Sequence, residues 1–226
     1  MIFNKFFILF KIGRKIGKSN IINIVSETHK IPVFIKLFFN LLAFSFSSSN
    51  NTKSKGKENL SESIQEMGTT FIKLGQFLAT RPDIIGEKLS KELESLQDKL
   101  PPFSKKEAEK IIIENLGQSN FDDIIDLSEP IAAASIAQVH KAKIKEDNII
   151  KNVAIKVLRP NIKKIFNDEI DAIMLLAYIV ESLISKTKRL KLIEVVFLFK
   201  EITNHEMDLR FEAAAANAVS YTHLRA

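Results

Sequence analysis

Apolar side chains recur with helical spacing in the middle of the chain, and they predict three helices. The first covers residues 62–80 and ends at Arg81-Pro82-Asp83, because proline has no N–H to donate and restricts the residue before it. The second is predicted from leucines that lead to a double proline, namely Leu89, Leu93, Leu96 and Leu100. The third begins with the capping-box pair Ser104 and Glu107 and ends at Gly117.

A different pattern follows, with small residues first and alternation afterwards. Residues 130–144 open with small residues and continue as an extended stretch, and residues 153–158 place branched apolar side chains on one face and Lys156 on the other. These residues predict a β-hairpin whose first turn is the run Ala132 to Ser135. A tight turn of small residues near a lysine suits a phosphate pocket, because backbone N–H groups can approach and a cation can bind the oxygens. Two long amphipathic helices are predicted to close the chain, over residues 162–183 and 192–212.

Polar side chains on two of these helices are candidates for chemistry. Lys73 and Gln76 share one helix face and could insert a cation and an amide into a neighbouring groove, although a solvated face is the commoner reason for this spacing. His205, Asp208 and Glu212 lie at i, i+3 and i+7 and could ligate a metal, but a solvated polar stripe is again commoner. A carboxylate in this region could also pair with the pocket lysine, as a helix glutamate does in kinases.

Basic charge is concentrated at the N-terminus. Residues 1–57 hold ten Lys or Arg and one acidic residue, a net charge of +9, whereas the remainder holds 23 basic and 26 acidic residues, a net charge of −3. A uniformly basic nucleic-acid-binding protein would not distribute its charge in this way. The absence of cysteine excludes thiol nucleophiles, Cys-ligated zinc and iron–sulfur clusters from this chain.

Residues 1–46 are cationic, Phe-rich and amphipathic. Lysines interrupt the apolar runs, none of which reaches the roughly 20 residues of a membrane span, so neither a signal peptide nor a transmembrane helix is predicted. Two interpretations remain open: a segment that lies on an anionic membrane, or helices that pack into a core and expose their lysines. The apolar positions at helical spacing are Phe6, Phe7, Phe10, Phe34, Leu37, Phe38, Leu41 and Leu42.

Six short strings occur in the order and spacing of one family. They are Phe71-Ile-Lys-Leu-Gly-Gln76, Thr80-Arg-Pro-Asp83, Leu96-Gln-Asp-Lys-Leu-Pro-Pro102, Ala132-Ala-Ala-Ser-Ile-Ala-Gln-Val-His140, Val153-Ala-Ile-Lys-Val-Leu-Arg-Pro160 and Glu206-Met-Asp-Leu-Arg-Phe-Glu212. Together they resemble the UbiB/AarF/ADCK group of atypical kinase-like proteins, which is linked to ubiquinone (coenzyme Q) biosynthesis. The sequences of these strings are most similar to those of the bacterial UbiB branch, and the match covers roughly residues 60–218.

The resemblance implies an α+β fold, a protein-kinase-like N-lobe with a helical N-terminal extension, and ATP as the bound nucleotide. An Ala-rich loop would replace the usual Gly-rich loop over the ATP phosphates. Lys156 would hold the α- and β-phosphates and pair with Glu212. The loop residues are Ile131, Ala132, Ala133, Ala134, Ser135, Ile136, Ala137, Gln138 and Val139.

The resemblance also assigns a role to the helix of Lys73 and Gln76, which belong to the family's KxGQ motif. This helix would reach into the cleft where a peptide substrate would otherwise bind, with Lys73 facing Glu206 and Asp208 of the family's ExD motif. An occupied cleft suits ATP hydrolysis or phosphorylation of a small molecule better than peptide phosphorylation. On one straight helix Glu206 and Glu212 point about 240° apart, so either the helix breaks near Asp208 or the two carboxylates serve different sides.

The resulting division of the chain is a basic Phe-rich segment, a linker, a helical extension with KxGQ, a kinase-like N-lobe and a tail, over residues 1–46, 47–58, 59–118, 119–218 and 219–226. The tail resembles the translation of a sequencing adaptor and is predicted to be non-native. The family's C-lobe, with its catalytic Asp and metal-binding residues, would follow this chain. We therefore assign no catalytic Asp or metal ligand here, expect Mg²⁺ only with the C-lobe, and expect this piece alone to be inactive.

The expected location is the cytoplasmic face of the bacterial inner membrane, as a peripheral protein. The expected partners are the nucleotide, an anionic membrane surface, and ubiquinone-biosynthesis enzymes or their lipid intermediates, with no nucleic acid. The alternative function is a non-catalytic helical module that docks on membranes or on biosynthetic enzymes.

Overall fold

The computed structural model describes residues 2–19, 21–28, 37, 60–98, 100–146 and 149–223. They form two compact units. The helical unit comprises Met1–Gln97 and Lys164–Thr203, and the sheet unit comprises Asp98–Lys163 and Asn204–Ala226. The predicted linker and the apolar positions Phe34, Phe38, Leu41 and Leu42 lie outside the described residues.

Along the chain, helices precede and follow the three strands of one small sheet. The N-terminal helices are α1 (Ile2–Lys18), α2 (Ile21–Thr28), α3 (Leu60–Met67), α4 (Thr69–Ala79), α5 (Pro82–Ile85) and α6 (Glu87–Glu94). The middle of the chain contains α7 (Lys105–Leu116), α8 (Gln118–Asp122), β1 (Ile124–Ala133), β2 (Ala137–Glu146) and β3 (Ile149–Leu158). After these come α9 (Ile162–Leu183), a 3₁₀ helix (Ser185–Leu190), α10 (Leu192–Glu206) and α11 (Leu209–His223).

The single helix predicted over residues 62–80 is two helices, α3 and α4, and that prediction was wrong. Gly68 separates them with a φ of 103° and a ψ of −175°, a conformation that is essentially restricted to glycine and costs other residues roughly 1–3 kcal/mol. The apolar spacing continues across the break, because Met67 and Phe71 both enter the same core. Periodicity alone could not reveal the break.

The leucine-rich helix is shorter than predicted. Helix α6 ends at Glu94, so Leu96 and Leu100 lie beyond it, although Leu89, Leu93 and Leu96 are buried. The carbonyls of Leu100 and Pro101 accept hydrogen bonds from Arg159 instead of continuing a helix.

The third predicted helix is confirmed as α7. Its N-terminal residue is preceded by Ser104, whose Oγ accepts a hydrogen bond from the Glu107 N–H and donates one to the Glu107 carboxylate. Gly117 ends it with a φ of 86°.

The sheet is antiparallel with the strand order β1-β2-β3. The predicted hairpin is confirmed as β2 and β3, but β1 was not predicted, and it takes in Ala132 and Ala133 from the small-residue run. The turn therefore spans only residues 134–136. Strand β1 pairs with β2 through three register irregularities, which obscure the alternation that would have revealed it.

Helix α7 covers one face of this sheet. Its Ala108 and Ile112 pack in a core with Val153, Ile155 and Val157 of β3. The predicted alternation is thus confirmed, and it leaves Lys156 on the opposite face. The grouping of α7 with the sheet differs from the division into residues 59–118 and 119–218, because α7 shares its core with the strands.

Helix α1 belongs to the core of the helical unit. Its Ile12 is 3% exposed and packs with Met67, Phe71 and Ala172, and the Lys15 ammonium donates a hydrogen bond to the Met67 carbonyl. The core-packing interpretation therefore holds for one side of α1. Among the described residues, no helix combines the length and the apolar character needed to cross a bilayer.

The last predicted helix, over residues 192–212, is interrupted, so its continuity was wrongly predicted. Helix α10 ends at Glu206 and α11 begins at Leu209. Asp208 caps the second helix, because its Oδ1 accepts a hydrogen bond from the Arg210 N–H at 3.2 Å. Of the two alternatives left open by the 240° separation, the break near Asp208 is the one observed. The non-native origin of residues 219–226 stays a prediction.

Candidate functional site

The central feature of the sheet unit is an ion pair between β3 and α11. Lys156 Nζ lies 2.9 Å from Oε1 and 2.7 Å from Oε2 of Glu212. The Lys156 side chain is 36% exposed and that of Glu212 is 59% exposed. The structure therefore brings these two predicted site residues together at an accessible position.

The Ala-rich loop lies in the same sheet. Ala132 of β1 pairs with Val139 of β2, and Val139 pairs with Lys156 of β3. These three residues form one row across the sheet, in which neighbouring strands lie about 4.8 Å apart. The Ala-rich end of β1 is thus about 10 Å from the backbone of Lys156.

The predicted loop residues, 131–139, range from exposed to buried. Ile131 and Ala132 are exposed, and Ala133, Ala134 and Val139 are half-buried, whereas Ser135, Ile136, Ala137 and Gln138 are buried. The turn is closed by a hydrogen bond from the Ala134 N–H to the Ala137 carbonyl at 2.8 Å. Ala132, Ala133 and Ala134 have no side-chain atom beyond Cβ, and of these three residues Ala132 is exposed.

Gln138 directs its side chain to the α7 side of the sheet. Its Oε1 accepts a hydrogen bond from the Phe103 N–H at 2.9 Å, and its amide nitrogen donates to the Phe103 carbonyl at 3.1 Å. The same nitrogen lies 2.9 Å from Nε2 of His140. That ring nitrogen must be the acceptor, so Nδ1 of His140 carries the proton and donates to the Ser128 carbonyl at 2.8 Å.

The two halves of the expected KxGQ and ExD contact lie in different units. Lys73 and Gln76 are half-buried on α4 in the helical unit, and Glu206 and Asp208 belong to the sheet unit. The expected contact stays a prediction. Gly75 of the motif has a packing reason to be glycine, because an added Cβ would lie 3.3 Å from Ile64 and 3.4 Å from Leu96.

Asp208 is bound by its own neighbour. Nε of Arg210 donates to Oδ1 of Asp208 at 2.8 Å, and Nη2 donates to Oδ2. The hydrogen bonds from Arg210 lower the pKa of Asp208 to about 2 from an ordinary value of 3.8. At neutral pH Asp208 is a carboxylate that is already paired with a cation.

We expect Arg210→Gln to return the pKa of Asp208 from about 2 toward 3.8, because it removes the guanidinium that stabilises the carboxylate. In the original protein the folded pKa lies below the unfolded one. The contribution of this pair to stability is therefore complete above the unfolded pKa and is lost as pH falls through the folded pKa. NMR titration of the Asp208 side-chain carboxyl carbon measures its pKa in the original protein and in R210Q. An unchanged pKa in R210Q would exclude Arg210 as the cause of the lowered pKa.

The metal-ligand interpretation of His205, Asp208 and Glu212 finds no support. The His205 ring lies 5.1 Å from that of Phe211, while Asp208 pairs with Arg210 and Glu212 pairs with Lys156. Within the described part of the chain no group of three or more His, Asp or Glu residues is arranged to hold a metal.

The sequence analysis missed Asp98 and Arg159, two charged residues that contact the Ala-rich turn. The Asp98 carboxylate accepts a hydrogen bond from the Ser135 N–H, and the Arg159 guanidinium donates to the Ala134 carbonyl. Both residues stand inside family strings, one in the string before the double proline and the other directly after β3. Their place in those strings was the only signal.

Comparison with known proteins identifies the family. The profile of the ABC1 atypical kinase-like domain matches residues 95–224. Proteins named "Probable protein kinase UbiB" are similar to this chain: that of Marinobacter nauticus is 35% identical over 189 residues, covering 83% of this chain and 34% of the relative. The Pseudomonas aeruginosa protein (strain LESB58) is 32% identical over 211 residues, covering 92% and 39%, and the Shewanella baltica protein is 37% identical over 189 residues, covering 82% and 33%.

The chain thus spans between about a third and two fifths of the length of these relatives. The resemblance drawn from the six strings is confirmed, because the matched region contains the Ala-rich loop, Lys156 and Glu212. With a mixed fold of helices and a three-stranded antiparallel sheet, this chain belongs to the ABC1 atypical kinase-like family.

Proposed function

We propose that this chain is the nucleotide-binding N-lobe, with its helical extension, of a UbiB-type atypical kinase or ATPase that supports ubiquinone biosynthesis. The observation that carries the proposal is the pairing of Lys156 with Glu212 at 2.7 Å and 2.9 Å in the sheet that holds the Ala-rich turn. Kinases use such a pair to hold a lysine against the phosphates of ATP.

The charges and the backbone near Lys156 suit a polyphosphate. Lys156 is a cation whose side chain Glu212 holds in place, and it remains accessible to an anion because its side chain is 36% exposed. Ala132 and Ala133 present only a Cβ near this row, so a phosphate can approach the backbone. In the proposed complex Lys156 donates to phosphate oxygens, and Glu212 orients the ammonium without touching the nucleotide.

The resemblance of the KxGQ helix bears on the reaction. A helix that carries Lys73 and Gln76 into the place of a peptide substrate favours ATP hydrolysis or phosphorylation of a small molecule over peptide phosphorylation, and lipid intermediates or enzymes of quinone synthesis are the proposed partners. We assign no Mg²⁺ ligand to the described residues and expect Mg²⁺ to require the C-lobe.

We expect ATP to stabilise the full chain against thermal unfolding more than adenosine does, because only ATP offers oxygens to Lys156. At a ligand concentration of a hundred times Kd the stabilisation amounts to about 2.7 kcal/mol. Thermal unfolding monitored by circular dichroism, with each ligand over a concentration series, measures the difference. Equal stabilisation by ATP and adenosine, or none by either, would contradict nucleotide binding through Lys156.

A second function, docking on an anionic membrane, is favoured by the outer side of α1. Phe7 is 66% exposed and Phe10 is 40% exposed, and both share a helix face with the exposed Lys11 and Lys18. The opposite side of α1 packs into the core through Ile12. Exposed aromatic rings beside lysines match the face of a helix that lies in a lipid headgroup layer.

We expect the double substitution Phe7→Ser and Phe10→Ser to reduce flotation with vesicles that contain anionic phosphatidylglycerol. Both side chains lie outside the core, so the fold should persist, whereas deletion of α1 would open the core. The matched control is Ile149→Ser with Ile150→Ser, which changes two side chains that are 60% and 61% exposed in the sheet unit. If both double variants float like the original protein, or if neutral vesicles bind equally well, α1 is not the docking surface.

A further inference from the structure

The Ala-rich turn is held from outside its own hairpin. Arg159, directly after β3, donates hydrogen bonds from Nε and Nη2 to the Ala134 carbonyl at 3.1 Å and 2.8 Å. Its own N–H donates to the Ile136 carbonyl at 2.8 Å. One residue thus binds two of the three residues of the turn, through both its side chain and its backbone.

The same guanidinium ties the turn to the stretch before α7, which we call the 98–103 segment. Nη2 of Arg159 also donates to the carbonyls of Pro101 at 3.0 Å and Leu100 at 3.3 Å, and the guanidinium lies 5.9 Å from the ring centre of Phe103. Hydrogen bonds that involve a charged donor are stronger than neutral ones. Burial lowers the pKa of Arg159, and the guanidinium stays a cation at neutral pH.

Two further side chains complete the attachment. Oδ1 of Asp98 accepts the Ser135 N–H at 3.0 Å, and the buried Gln138 binds both the N–H and the carbonyl of Phe103. The 98–103 segment is therefore joined to the turn region at its first residue, at its last residue and, through Arg159, in between.

The contacts of Gln138 lie on the α7 face of the sheet, which is opposite the face that carries Lys156. Gln138 pairs with Val157 of the α7 core, whereas Lys156 pairs with Val139 on the other face of the sheet. Arg159 lies against Phe103, which packs on the same core, and it can therefore fix the position of the turn without occupying the face on which a phosphate would meet Lys156.

We propose that Asp98 and Arg159 are positioning residues, which hold the Ala-rich turn against the 98–103 segment and thereby set the affinity for the nucleotide phosphates. This inference rests on the proposed nucleotide site and deepens it. The side chain of Ile136 is buried, and the backbone of Ala134 and Ser135 is held by side chains from outside the turn. These hydrogen bonds order the turn before the ligand arrives, which lowers the entropic cost of binding.

The test uses four variants of the full chain. Arg159→Met and Asp98→Ala remove the attachments, and Asp98→Asn keeps an acceptor oxygen but loses the negative charge, so its effects should lie between those of Asp98→Ala and the original protein. Lys110→Met is the matched control, because Lys110 lies on α7 with a side chain that is 76% exposed. Arg159→Lys, which keeps the cation but loses the planar fork, replaces Arg159→Met if that variant does not fold.

The first measurement is hydrogen–deuterium exchange without nucleotide. Arg159→Met and Asp98→Ala should speed exchange in residues 134–137 by about tenfold and leave the α7 core unchanged. Asp98→Asn should have a smaller effect than Asp98→Ala, and Lys110→Met should have none. Unchanged exchange in the turn, or a uniform increase over the whole sheet unit, would overturn the positioning role.

The second measurement is the Kd for ATP and for adenosine. In the two disruptive variants the Kd for ATP should rise about tenfold, equivalent to about 1.4 kcal/mol, and the Kd for adenosine should change less than about twofold. A local increase in exchange with unchanged ATP affinity would refute the link to phosphate binding. If the original protein binds ATP no better than adenosine, the proposed nucleotide site fails, whereas the exchange result still decides whether Asp98 and Arg159 hold the turn.

Discussion

Replacing Lys156 by methionine is expected to remove most of the stabilisation by ATP that the proposed nucleotide site predicts. A hydrogen bond to a charged group contributes about 1.5–3 kcal/mol, so the Kd for ATP should rise between about tenfold and a hundredfold. Methionine keeps a similar length and lacks the charge. The loss should appear as a smaller shift of the unfolding temperature at fixed ATP, while adenosine has the same effect on both proteins.

This substitution should leave the fold intact, which makes the result interpretable. Both side chains of the Lys156–Glu212 pair are accessible to water. Such exposed ion pairs contribute about 0–1 kcal/mol to stability. Lys151→Met is the matched control: Lys151 lies on the same strand, pairs with Glu146 and has a side chain that is 52% exposed. Equal loss of ATP stabilisation in K156M and K151M would refute a specific role for Lys156.

Phe199→Ala is expected to cause the largest loss of stability, about 3–5 kcal/mol. Phe199 is 1% exposed, and its ring centre lies 5.6 Å from those of Phe77 and Phe166. Truncation removes these ring contacts and leaves a cavity between helices α4, α9 and α10. A typical domain unfolds with only 5–15 kcal/mol, so this loss should be visible as a lower midpoint in urea unfolding followed by circular dichroism.

Phe197 provides the control for Phe199 on the same helix. Phe197 is 56% exposed, so Phe197→Ala should change the free energy of unfolding by no more than about 0.5 kcal/mol. A loss below about 1 kcal/mol for Phe199→Ala, or equal losses for the two variants, would mean that Phe199 is not a core residue of the helical unit.

Local elements were predicted best where a short-range signal and the tertiary contacts agree. Helix α7 begins where Ser104 and Glu107 predict it, because a capping box needs only residues three apart. The β3 alternation is likewise local, and α7 covers the face that it predicts. By contrast, the break at Gly68 was missed because the apolar spacing on both sides matches a single helix.

Local residues suggested a phosphate pocket at Lys156, but only the order of the family strings singled out Glu212 as its partner. Those strings suggested that Lys156 and Glu212 belong together, but the straight-helix prediction left their geometry open. The interruption between Glu206 and Leu209 settles it, since α11 then presents Glu212 to β3 independently of α10. Asp98 and Arg159 gave no local signal, because a charged residue at a strand or helix end is ordinarily solvated.

The sequence by itself determined the family, the hydrophobic faces of the helices, the hairpin of β2 and β3, and the side of β3 on which Lys156 lies. Each of these depends on residues that are close in the chain or on the order of motifs. The tertiary structure alone decided which charges meet: Lys156 and Glu212 are 56 residues apart, and Arg159 and Leu100 are 59 apart. Periodicity identifies a buried face, but the partner that covers it, or that binds a charge, depends on how distant segments pack.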